Sequence, residues 1–206
     1  MRVFVAGATG VIGIPLVKLL VAAGHRVMGL TRTPAKAELL RELGAEAVVG
    51  DAYDAATLAQ AVSSFDADVV INELTDLPDD VTKITPAANA RIRTEGNRNL
   101  VAAADGARYL AQSVAWPLEG DAAAAVAELE RTTLAVDGIV LRYGRFYGPG
   151  TYSDGTGELP PEPRIHVDEA ARRTVAALDA PSGVIVVADP SVDSADGTFR
   201  RVEDRP

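Results

Sequence analysis

A short β-rich run, Arg2–Ala6, breaks straight into Gly7-Ala8-Thr9-Gly10-Val11-Ile12-Gly13, and a helical pattern follows over residues 14–23. A strand that ends in glycines at this spacing and continues as a helix leaves few folds open. Gly7 is free to take a positive φ in the tight turn. Gly10 has no Cβ to hold backbone N–H groups away from a pyrophosphate, and Gly13 lets the helix lie close on the sheet. The helix N-terminus adds partial positive charge. The spacing G-x-x-G-x-x-G is one residue longer than the G-x-G-x-x-G dinucleotide fingerprint. A glycine triplet alone also reads as a packing turn. The strand–turn–helix context is what makes this one a phosphate cradle, predicted to use Gly7, Thr9, Gly10, Val11, Ile12 and Gly13.

Strand and helix signals alternate along the rest of the chain. Strands are expected at residues 26–30, 47–49, 67–71, 108–112, 139–142 and 184–187. Helices are expected from Pro34 to about Gly44, then over 55–62, 87–104, 122–136 and 168–178. Ile92, Gly96, Leu100 and Ala103 share one face of the long helix at 87–104. Repeated βα units with buried strands imply an α/β fold: a Rossmann-type, doubly wound parallel sheet with helices on both faces. Residues 151–163 are rich in Pro and Gly and read as a loop. The expected organisation is one NAD(P)-binding domain over 1–190, with a short substrate loop at about 150–165 and a mobile polar tail over 191–206.

The chain has 206 residues, of which 48% are hydrophobic and 24% charged, an ordinary globular composition. Its formal net charge of −9 opposes nucleic-acid phosphates, so nucleic-acid binding is not expected. With no cysteine and two histidines, His25 and His166, neither a disulfide nor a zinc site is expected. No apolar run is long enough to span a bilayer, and the N-terminus lacks a signal-peptide layout, so no membrane partner is expected and the expected location is cytoplasmic.

An NAD site usually places Asp or Glu at the end of the second strand, on the ribose hydroxyls. Between Arg26 and Ala37 this chain has no acid and instead carries Thr31, Arg32 and Lys36. Arg32 could pair with a 2′-phosphate, which favours NADP, with NAD as the alternative; such residues are also commonly plain surface charges. Asp51 and Ala52 follow the third strand. Asp51 can accept from an adenine amino group or cap the helix near Ala55.

Taken together, Gly7–Gly13, Val49-Gly50-Asp51, Glu95-Gly96-Asn97-Arg98-Asn99-Leu100, the segment from Leu141 to Gly150 and Ile165-His166-Val167-Asp168-Glu169-Ala170-Ala171 resemble the extended and atypical short-chain dehydrogenase/reductase superfamily. This is the group of NAD-dependent epimerases and dehydratases, with NmrA-like proteins as relatives. The resemblance implies cofactor across the strand ends, a small-molecule substrate above the nicotinamide, and a homodimer formed through the helices at 87–104 and 122–136. The chain departs from the family in two ways. Ser113 fits the family's strand-five hydroxyl, but no Tyr-x-x-x-Lys occurs: Ala122 stands where Tyr is expected and Val126 where Lys is. The C-terminal substrate region is also much reduced.

Ser113 and Tyr147 are therefore the candidate catalytic residues, with Tyr147 also readable as a core aromatic. Trp116, Tyr143 and His166 are candidates for the substrate pocket. Asn72, Glu73 and Thr75, after the fourth strand, are expected near the cofactor ribose; Glu73 reads either as a general acid or base or as a solvated carboxylate. The expected function is NADP(H)-dependent reduction of a carbonyl on a small metabolite. The alternatives are a non-redox isomerase, dehydratase or cyclase on the same scaffold, and a non-catalytic NAD(P)-binding sensor.

Overall fold

Alternate residues of the first strand, β1 (Arg2–Ala6), serve two cores. Val3 and Val5 pack on one side of the sheet with Leu16, Leu20, Ala170 and Ala171. Phe4 and Ala6 pack on the other with Leu58, Leu100 and Leu129. Both faces being buried explains why the strands read as continuous apolar runs. The computed structural model describes residues 1–78, 80–154 and 157–190.

The elements run β1, α1 (Gly13–Ala22), β2 (Arg26–Thr31), α2 (Pro34–Glu42), β3 (Glu46–Val49), α3 (Ala55–Phe65), β4 (Val69–Asn72), α4 (Pro86–Arg91), α5 (Asn97–Ala104), β5 (Arg108–Val114), α6 (Gly120–Leu134), β6 (Ile139–Tyr143), β7 (Arg145–Tyr147), β8 (Arg164–His166), α7 (Val167–Ala176) and β9 (Gly183–Val187). Seven strands form one parallel sheet in the order β3-β2-β1-β4-β5-β6-β9. This is the Rossmann-type fold expected. The order reverses between β1 and β4, and a ligand crevice is expected beyond the strand ends at that point. The fully buried Leu16, Val17 and Leu20 fasten α1 to the sheet, each contributing about 1.5–3 kcal/mol relative to exposure.

Three local differences from the sequence reading bear on the site. The helix expected over 87–104 is continuous in direction but divided by a π-helical turn, Ile92–Gly96, between α4 and α5. The cap of α3 is Asp54, whose carboxylate accepts from Thr57 N–H at 3.0 Å, and not Asp51. Two three-residue strands, β7 and β8, pair in parallel on either side of the Pro/Gly loop. They are too short to show a period. Gly144 allows their approach, since a Cβ there would lie 2.7 Å from the Arg164 backbone.

Among the described residues, no helix is long and apolar enough to cross a membrane, and no group of three or more His, Cys, Asp or Glu could hold a metal ion. The tail expectation for 191–206 lies outside the described residues.

Candidate functional site

A cleft of about 1060 Å³ opens over the C-terminal ends of β1, β2, β4, β5 and β6. At one end are Thr31, Arg32 and Lys36 from β2 and the start of α2, with Asp51, Ala52 and Tyr53 after β3. The glycine turn forms the middle. At the other end lie Glu73, Ser113, Trp116, Tyr143 and Arg93.

The turn's geometry fits a dinucleotide. Gly7 has φ of 83°, and a Cβ there would stand 2.5 Å from the Glu73 carbonyl oxygen. A Cβ on Gly13 would stand 2.1 Å from the Gly7 carbonyl oxygen. The side of Gly10 meets little beyond that carbonyl, at 3.2 Å. Gly7 and Gly13 therefore set the backbone, while Gly10 keeps the approach to it open. No side chain caps α1. Ile14 N–H bonds to the Gly10 carbonyl and Pro15 has no N–H, so the groups left for an anion are the N–H groups of Val11, Ile12 and Gly13 at the junction of turn and helix. These residues fit the diphosphate of NAD(P).

Of the residues singled out in the sequence, Gly7, Thr9, Gly10, Val11, Ile12, Thr31, Arg32, Asp51, Ala52, Glu73, Ser113, Trp116 and Tyr143 line this cleft, as does Thr75. Gly13 sits behind the turn and is buried. Asn72 is 2% exposed and held behind the wall. Its amide donates to Asn97 Oδ1 at 2.9 Å and its carbonyl oxygen accepts from Leu74 N–H at 3.0 Å, a bond that shapes the chain just past Glu73. Tyr147 and His166 do not line the cleft. They meet edge to face on the β7–β8 pair. Tyr147 Oη donates to Asp189 at 2.9 Å, and burial together with that carboxylate raises its pKa. His166 is the N-cap of α7, its Nδ1 accepting from Asp168 N–H at 3.3 Å.

Two carboxyls give the chamber its chemistry, Glu73 buried in its wall and Glu130 half-buried behind Ser113. Ser113 Oγ donates to Glu130 Oε1 at 2.5 Å, and Arg142 donates to both Glu130 oxygens at 2.8 and 2.6 Å. Burial alone would raise the pKa of Glu130, but the bonds from Arg142 and Ser113 and the charge of Arg142 outweigh it and hold the group ionised. The single Ser113 proton is thus committed to a carboxylate. Glu73 is the opposite case. It is 4% exposed, and burial pushes its pKa up to about 8 against the lowering effect of its bond from Tyr143 Oη at 2.9 Å. Its Oε2 has no hydrogen-bond partner. A neutral carboxyl on the cleft wall can donate a proton; an ionised one cannot.

The sequence reading gave no role in the site to Arg93, Glu130, Arg142 or Arg145. Arg93 occupies an unremarkable polar position in a 3.6-residue period, and only the π turn buries it beside Ile92 and Gly96. Arg145 stacks over the Trp116 ring at 4.6 Å and steadies that wall. A Glu on α6 facing an Arg on β6 is a long-range pairing with no local signal.

A family model for NAD(P)H-binding proteins matches residues 7–115. A 3-diazoavenalumate denitrifying reductase from a Streptomyces species is 41% identical over 226 aligned residues, covering 87% of this chain and 73% of that protein. Among solved structures, UDP-glucose 4-epimerase of Thermus thermophilus in complex with NAD is similar at a TM-score of 0.72 and 21% identity, covering 91% of this chain and 78% of the other. WbmH of Bordetella bronchiseptica in complex with NAD+ is similar at 0.69 and 20%, covering 92% and 76%. The glycine turn, the strand order and these similarities agree: the chain belongs to the NAD(P)H-binding family within the extended and atypical short-chain dehydrogenase/reductase superfamily.

Proposed function

We propose that the chain is an NADP(H)-dependent reductase of a small, planar acceptor. The observation that carries this reading is a single cleft that joins the phosphate turn to a chamber bearing the buried carboxyl of Glu73, one oxygen of which has no hydrogen-bond partner, and the Trp116 ring. NADPH, when bound, supplies the hydride. The turn's amides would hold the diphosphate, and Arg32, just past β2, and Lys36, in the first turn of α2, would attract a 2′-phosphate at that end of the cleft.

Arg32 is 66% exposed on its side chain and lies 3.7 Å from Asp76, so its contribution is screened and moderate. Arg32→Ala is expected to weaken NADPH binding about tenfold, or about 1.4 kcal/mol, and to leave NADH binding unchanged. Cofactor-fluorescence titrations check this. An equal loss for both cofactors would remove the case for NADP.

Reduction of a carbonyl needs a proton as well as hydride. With Ala122 on the cleft wall and the Ser113 proton held by Glu130, Glu73 is the proton source in this reading. A second reading removes the need for one. In an aryl diazonium, hydride forms the new C–H bond, the C–N bond breaks, and dinitrogen leaves with that electron pair; no proton is consumed. The absent tyrosine favours such an acceptor, and so does the similarity to a denitrifying reductase whose substrate is a diazo compound.

Following NADPH absorbance with a panel of aryl ketones and with a benzenediazonium salt, each against a protein-free control, separates the two. Ketone turnover supports the first reading, and dinitrogen release above the control supports the second. Substrate conversion with no net NADPH oxidation would overturn the reductase reading and restore the non-redox one.

A further inference from the structure

Arg93 is a cation without a counter-ion on the wall of the cleft. It is 6% exposed, and its Nη1 is buried with no hydrogen-bond partner. No hydrogen bond or ion pair joins its guanidinium to any described residue. The carboxylate whose field reaches it, Glu130, is already bonded to Arg142 and Ser113. The other cleft arginines are engaged: Arg32 faces Asp76, and Arg145 donates to the Glu162 carbonyl at 3.1 Å and covers Trp116. An unpaired guanidinium taken out of water is costly, and arginine does not relieve that cost by losing its proton. Its position on a π turn is a second irregularity at the same residue, of a kind concentrated at functional sites.

The location separates Arg93 from the cofactor's phosphates. The glycine turn lies at the end of β1, and Arg32 and Lys36 follow β2. Arg93 is instead within the field of Glu130, whose hydrogen-bond partners are Ser113 on β5 and Arg142 on β6, on the far side of the switch point. The same end of the cleft presents the Trp116 ring and the apolar side chain of Leu118. A guanidinium fork matches a carboxylate with two parallel N–H···O bonds.

We infer that Arg93 binds the carboxylate of a planar aryl-conjugated acid, and so selects anionic substrates for the reaction proposed above. The inference rests on that reading for its consequence but not for the binding itself.

Trp116 is the single tryptophan of the chain and reports directly on this chamber. The protein loaded with NADP+ is titrated with cinnamate and with its uncharged methyl ester, and Trp116 fluorescence is read. Cinnamate is expected to bind at least about tenfold more tightly than the ester, the usual scale for one charge-assisted pair. Arg93→Met, which keeps the side chain's length and drops the charge, is expected to abolish the preference and leave the NADP+ affinity measured by calorimetry unchanged. Arg93→Lys is expected to restore part of it. A melting temperature at or above wild type shows that Arg93→Met is folded, since an unpaired buried charge has been removed.

Equal binding of acid and ester by wild type overturns the inference, as does absence of cinnamate binding or a preference that survives Arg93→Met. A loss of NADP+ affinity in its place assigns Arg93 to the cofactor and also overturns it. Failure of NADP+ to bind wild type at all is a separate result, and it overturns the reductase reading instead.

Discussion

Gly13→Ala is expected to cost at least about 3 kcal/mol of stability and to raise the NADPH dissociation constant by about a hundredfold or more. The added methyl would stand 2.1 Å from the Gly7 carbonyl oxygen and 2.6 Å from the Ala8 carbonyl carbon. Both atoms are backbone, so no rotamer can relieve the contact. Either α1 lifts from the sheet, uncovering Leu16 and Leu20, or the turn opens and Gly7 leaves its place against the Glu73 carbonyl. The first route loses core burial and the second loses the diphosphate cradle. A proper control is Gly106→Ala. That residue has a positive φ, 89°, which Gly13 does not, and nothing lies within 4 Å of the added Cβ, so about 1–2 kcal/mol of backbone strain is the whole expected cost. Urea unfolding and NADPH titration of both variants check the comparison. If Gly13→Ala is no less stable than Gly106→Ala, the close packing at the turn does not govern the fold.

The same turn shows what was legible in the sequence and why. Its meaning is local: positive φ, missing Cβ atoms and a strand–helix junction all lie within seven residues, and the strands that follow are buried on both faces, so each reads as a short apolar run. The chamber is less legible because its chemistry depends on contacts between distant segments. Ser113 is in the expected place at the end of β5, yet its proton goes to Glu130 on α6, and Glu130 is fixed by Arg142 on β6. Arg93 turns inward through a π turn that no hydrophobic period announces. His166 followed by Asp168 invites a catalytic reading, but the ring caps α7. Glu73 was seen from its position, whereas its neutral state comes from burial between β1, β6 and α7, including Tyr143 and Thr174.

That neutral state leads to the other large effect. For a ketone acceptor, Glu73→Gln is expected to lower kcat by about a hundredfold to ten-thousandfold, the range for loss of a positioned general acid. The amide retains the shape and can still accept from Tyr143, so the chamber is expected to stay intact and NADPH affinity to stay unchanged. For a diazonium acceptor, which takes no proton, the same substitution is expected to leave the rate unaltered. The wild-type enzyme offers a parallel test in pH. Glu73 donates only while protonated, so ketone reduction is expected to decline as pH rises through about 8, and Glu73→Gln removes that limb. Stability changes in a linked direction. The unfolded chain ionises Glu73 near the ordinary value of 4.5, while the folded protein holds the proton to about 8. Between those values the folded state binds more protons than the unfolded one, so stability falls as pH rises across the window and levels off above it. At about 1.4 kcal/mol per unit the total is on the order of 5 kcal/mol. Glu73→Gln has no proton to lose. It is expected to match wild type near about pH 4 and to be the more stable protein near about pH 9, while being the poorer ketone reductase. A variant that loses activity and also loses stability at high pH would show that Glu73 carries a charge the fold requires, and would end its assignment as the proton source.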